Sequence, residues 1–316
     1  MTIIVTINLN LSIFYFQPSG LRSLQGNGNG RKMTKPCTLV LRLEQFIDQT
    51  EAHKWDCELD NADSGTIVSF EKDRTFRRDQ FDSGISTLFG DVTIFPNGKA
   101  TINGNPRFGR RQSNNNNDAD RHLAVLGEKT VLAIRVQGND VATTANESTI
   151  ADEIFGSGTD VFNLATGFSQ CSSGALNFIP ATQHTSVGSD GVYTVVLNES
   201  IAGLTDSDLR TKVVNAANAE LGSLSSQFDH VMLCLPNIAG FGGIAYAYVN
   251  SWLSVYKDAW CNYPSAQLHE IGHNIGLAHS GESAAYDDQT GMVRSIKYLH
   301  LQICSSNYEN HTEIMR

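Results

Sequence analysis

The chain has 316 residues, 41% of them hydrophobic and 18% charged, with a formal net charge of −10 and a pI near 5.3. An acidic surface repels phosphate backbones, which argues against nucleic acid as a partner, and no apolar run reaches the roughly 18–20 residues that span a bilayer. What remains is an ordinary globular composition with chain enough for one or two domains.

Residues 1–36 form a flexible N-terminus that ends in "QGNGNGRKMTKP", rich in Gly and Asn. Its opening, "MTIIVTINLNLSIFYF", is apolar but carries no preceding Lys or Arg and no small-residue cleavage site. It reads as a poor signal segment, an edge strand or a wrongly assigned start. From Cys37 the pattern is strand-like: "CTLVLRLEQF", "GTIVSFE" and a hairpin "GDVTIFPNGKATINGN" turning at "PNGK". Residues 37–111 are therefore expected to form a small β-rich unit. The polar stretch "RFGRRQSNNNNDADR" reads as an exposed linker, assigned to residues 112–127.

Beyond it, residues 128–316 mix types. Strands are expected at "KTVLAIRVQG", "GALNFIPA", "GVYTVVLN" and "FDHVMLCLP". Helices are expected at "STIADEIFG", capped from Ser148, and at "DSDLRTKVVNAANAELG", which starts on Asp/Ser and stops on Gly. "GGIAYAYVNSW" alternates, with Ile244, Tyr246 and Tyr248 on one face and Ala245, Ala247 and Val249 on the other. A further helix begins near Pro264. The fold class is α+β.

That last helix carries "HEIGHNIGLAH". Positions i and i+4 of a helix stand one above the other, so His269 and His273 can present two imidazole nitrogens to one Zn2+. Glu270, one residue on, is placed to take a proton from a metal-bound water. Gly276 accepts the left-handed backbone that ends a helix, and the chain can then return His279 to the same ion. Three neutral ligands leave a fourth position open, as catalytic rather than structural zinc sites do. His53, His122, His184, His230, His300 and His311 are scattered and read as surface or core residues.

At these residues the chain resembles the metzincin clan of zinc endopeptidases, and "HEIGHNIGLAHSGE" followed by "YDDQTGM" resembles the gametolysin/autolysin peptidases, the M11 family. The resemblance implies a zincin-like (metzincin) catalytic domain over residues 128–316, preceded by the small β-rich unit. It implies zinc ligands His269, His273 and His279, Glu270 as general base and acid, and Met292 as the methionine of a turn beneath the metal. It implies a metalloendopeptidase acting on protein or glycoprotein substrates of the cell wall or matrix, and hence a secreted protein with four potential glycosylation sequons at Asn10, Asn146, Asn198 and Asn310. It also implies that the strand "GGIAYAYVNSW" is an edge on which an extended peptide pairs, unless its tyrosines simply pack. The sequence departs from the family after Met292: Arg294 stands where a tyrosine is expected, and the short remainder suggests a truncated C-terminus.

Arg110-Arg111 is either an inert surface pair or a site at which residues 37–111 are released as a prodomain. Six cysteines permit three disulfides in 15 connectivities. Cys234 and Cys261, flanking the edge strand and zinc helix, are one candidate pair; Cys37 and Cys57 read as disulfide-bonded or buried thiols, with capping of the zinc as the alternative. The rival functional reading is a catalytically inactive zinc-binding relative that serves as a wall or matrix binding protein.

Overall fold

The structure is a computed structural model that describes residues 30–48, 50–59, 66–70, 76–78, 80–110, 125–156, 162–277 and 279. Three apolar clusters share one sheet. The first lies within six strands: β1 (Arg31–Lys32), β2 (Cys37–Gln45), β3 (Glu51–Leu59), β4 (Ile67–Phe70), β5 (Ser86–Ile94) and β6 (Lys99–Arg110). Pairings run β2–β3–β4–β6–β5 and from β5 back to β2, so these strands close into a ring. Alternation explains its inside: Leu39, Leu41 and Leu43 point inward with Trp55, Val68 and Val92. Each such buried aliphatic side chain contributes about 1.5–3 kcal/mol. A disulfide, Cys37–Cys57, ties β2 to β3. β6 continues through Arg110, so the first residues of the polar stretch "RFGRRQSNNNNDADR" are strand, ahead of the linker expected at 112–127.

The second half holds β7 (Gly127–Gln137), β8 (Leu176–Pro180), β9 (Val192–Val196), β10 (His230–Leu235), β11 (Ala245–Tyr248) and β12 (Leu253–Lys257). β7 runs parallel to β8, β9 and β10, β10 runs parallel to β12, and β11 alone is antiparallel. Both faces of this sheet are covered, as the apolar runs in β7 and β10 require. On one face lie α1 (Glu147–Phe155), α2 (Leu164–Cys171) and α5 (Pro264–Asn274), packing Ile154, Phe168, Leu268 and Ile271 onto Ala133 and Met232. On the other lie α3 (Asp206–Leu221) and α4 (Leu224–Gln227), packing Leu209 and Val213 onto Leu132 and Ile134. Mixed sheet and helices agree with the α+β class. The cap of α1 is Asn146, whose side chain accepts from Thr149 N, rather than Ser148.

β11 is not an edge. Its register places Ala245 opposite Tyr256 of β12 on one side and opposite Gln45 of β2 on the other. The N-terminal ring and the second half thus meet strand to strand, and the peptide-pairing edge expected from the sequence is already paired. Tyr246 and Tyr248 turn away from α5 into the core beneath α3 and are fully buried.

Candidate metal centre

α5 starts where Pro264 occupies the first turn, a position whose N–H has no helical partner anyway. Residues Ala266 to Asn274 are all buried. Asn274 fixes the far end: its Nδ2 donates to Tyr248 O at 3.0 Å and to Leu253 O at 2.9 Å, stitching α5 to β11 and β12. Asn250 N donates to His273 O at 3.0 Å. A disulfide between Cys234 of β10 and Cys261, one turn before α5, anchors the near end and matches the expected pair.

After α5 the backbone reverses at Gly276, whose φ is +91°. Gly276 N donates to His273 O and Leu277 N to Gly272 O, both at 2.9 Å, the paired bonds of a glycine-terminated helix. Among the described residues no atom beyond its chain neighbours lies within 4 Å of where a Cβ would stand, so the positive φ is what selects glycine. The reversal brings His279 back over α5 as the spacing predicts.

The three rings converge. Nε2 of His273 is 3.2 Å from Nε2 of His269 and 3.0 Å from Nε2 of His279, and the third side of the triangle is 3.2 Å. The centre of such a triangle is about 1.8 Å from each nitrogen, and a point slightly above its plane reaches the Zn–N distance of about 2.0–2.1 Å. Three mutually facing nitrogens cannot satisfy one another by hydrogen bonds in a triangle of neutral rings, whereas one cation satisfies all three. His273 Nδ1 lies 2.9 Å from Leu277 O, which sets the proton on Nδ1 and leaves Nε2 a lone pair. Burial, then the neighbouring His269 and His279, hold His273 well below the usual histidine range, in its ligand-competent neutral form. The donor set fits a zinc ion.

Glu270 is buried beside this cluster, and neither carboxylate oxygen has a hydrogen-bond partner. Burial first, then Glu51 and Glu44, push its carboxyl well above the usual carboxylate range. A divalent cation among the rings would draw it back down. One residue that the sequence does not point to reaches the centre: Glu51 Oε2 of β3 is 2.5 Å from His279 Nδ1. Nothing local marks Glu51; only the fold joins it to His279. Met292 and Arg294 lie outside the described residues.

A profile of the gametolysin peptidase M11 family matches residues 130–305, more than half of the chain. The chain belongs to the gametolysin peptidase M11 family. The M11 match runs from β7 through His269, Glu270, His273 and His279, and leaves the N-terminal ring outside it. Membership makes the chain a peptidase, a hydrolase of peptide bonds. Comparison with curated proteins finds no match. Among the described residues no helix is long and apolar enough to cross a membrane.

Proposed function

We propose that the chain is a zinc-dependent endopeptidase in which His269, His273 and His279 hold the ion and Glu270 serves as general base and then general acid. The observation that carries this reading is the triangle of Nε2 atoms at 3.0–3.2 Å with an unpartnered buried carboxylate next to it. When bound, zinc supplies Lewis acidity that polarises a scissile carbonyl and eases deprotonation of water near neutral pH. The chain supplies the rest. Leu277 O orients His273 through Nδ1, and Asn274 holds α5 in place against the sheet. Glu270 takes the proton of the attacking water on a carboxylate oxygen and delivers it to the departing amine nitrogen.

The substrate class we propose is protein or glycoprotein outside the cell. Two disulfides among the described residues, Cys37–Cys57 and Cys234–Cys261, agree with an oxidising compartment. No observation of the site favours the inactive-relative reading over this one. Metal analysis tests the assignment. The full chain should hold one zinc; His269→Ala, His273→Ala and His279→Ala should each lose most of it, and Glu270→Ala should keep it. Zinc retained after all three histidine substitutions would place the ion elsewhere and end this reading.

A further inference from the structure

A buried imidazole that gives its Nε2 lone pair to a metal keeps its proton on Nδ1, and that N–H needs an acceptor. His273 finds one within its own turn, Leu277 O at 2.9 Å. His279 stands past the end of α5, with only 2% of its side chain exposed. Its Nε2 belongs to the triangle of rings, and its Nδ1 lies 2.5 Å from Glu51 Oε2.

A rigid path sets Glu51 there. It opens β3 opposite Gln45, the last residue of β2. The turn between them is tied by Phe46 N donating to Thr50 O at 3.0 Å, and by Thr50 N and Oγ1 donating to Asp48 Oδ1 at 3.0 and 2.6 Å. Gln45 O accepts in turn from Ile244 N at 2.8 Å, and β11 holds α5 through Tyr248 O and Asn274 Nδ2. Sheet register thus fixes a carboxylate against a histidine far along the chain. The other oxygen is occupied too: Arg78 Nη1 lies 3.6 Å from Glu51 Oε1. Only 12% of the Glu51 side chain is exposed, so water screens its contact with His279 weakly.

We infer that Glu51 is a positioning residue of the metal centre: Oε2 accepts the Nδ1 proton of His279 and fixes that ring with Nε2 towards the ion, while Arg78 steadies the second oxygen. The inference rests on the zinc reading. A carboxylate in this place selects the tautomer, restrains rotation of the ring and makes Nε2 a more basic donor. His269 and His273 are held in register by α5, whereas His279 enters through the turn at Gly276 and depends more on such a partner.

Zinc affinity of the full chain, measured by competition with a chromophoric chelator, tests this together with the exchangeable Nδ1 proton signals of the cobalt(II)-loaded chain. Glu51→Ala should weaken zinc binding about 10–100-fold and bring one Nδ1 proton into fast exchange with water. Glu51→Gln keeps an acceptor oxygen of the same shape and is the variant to read if alanine disturbs folding; it should lose less affinity and keep that proton signal. Glu44→Gln removes an equal charge from near Glu270, but from a carboxylate paired with Arg42 at 3.6 Å, and should leave every proton signal in place. Unchanged affinity and proton signals in Glu51→Ala, with zinc still lost in His279→Ala, would overturn the inference and leave the zinc reading standing. Equal losses in Glu51→Ala and Glu44→Gln, with no change in the proton signals, would make Glu51 a distant charge only and overturn it as well. A parent chain that binds neither ion would end both readings.

Discussion

His273 illustrates how much one side chain is made to do: Nε2 faces two other rings, Nδ1 faces Leu277 O, and its backbone carbonyl accepts from Asn250. The geometry depends on Gly276, so Gly276→Ala should destabilise the chain by about 1–2 kcal/mol through its positive φ. The same change should weaken zinc binding, because His279 enters through that turn; calorimetric unfolding and metal titration check both. Away from the centre, His230 is buried against Phe178 with Nδ1 unpartnered, and burial pulls it down to about 4. The unfolded chain binds that proton below about 6.5 and the folded chain only below about 4, so His230 subtracts stability as pH falls through this window, by up to about 3 kcal/mol. His230→Gln should flatten the loss of stability between pH 6.5 and 4 relative to the parent, measured by denaturant unfolding; an unchanged pH profile would contradict the assignment. The three proposed ligands and Glu270 are legible in the sequence because helix periodicity turns local spacing into a shared direction. Glu51 is not, since a lone glutamate acquires its meaning only from a strand pairing distant in the chain.

The elements show the same division. Long patterned segments such as α3, with Thr205 before it and Gly222 after it, and the β5–β6 hairpin stand where the pattern puts them. Besides the short β1 and α4, three elements escape notice. β12 is a five-residue buried run, α2 spans eight residues, too few for a clear period, and β3 reads "EAHKWDCEL", where Lys54 and His53 mask an inward set of Trp55, Cys57 and Leu59. β11 was legible as a strand but not in its neighbours, because alternation reports faces and says nothing of edges. Covalent bonding supports the zinc helix as well. Cys234 and Cys261 are 27 residues apart, and replacing both by Ala should cost about 3–4 kcal/mol by loop-closure entropy. The loss should appear as a lower Tm of the folded chain; a Tm unmoved by the double substitution would show that packing alone holds α5.

The whole molecule is a peptidase-family half paired strand to strand, through β11 and β2, with a ring of its own chain. Its two halves share a sheet and one apolar cluster, in which Val40 and Ile67 of the ring join Val213 and Tyr248, and charged side chains such as Arg42, Asp56 and Arg210 line the seam beside it. The histidine spacing points to the chemistry proposed for the site; the placement of one half on the other arises from tertiary contacts that no single segment encodes. The central claim is that Glu270 moves the proton at a zinc centre built from His269, His273 and His279. Its most direct test is hydrolysis of an unstructured protein by the zinc-loaded chain, with and without Glu270→Ala. The account predicts one zinc in both and a fall in turnover of about 10²–10⁴-fold on loss of the carboxylate. Equal turnover in the two forms, with zinc bound in each, would contradict it.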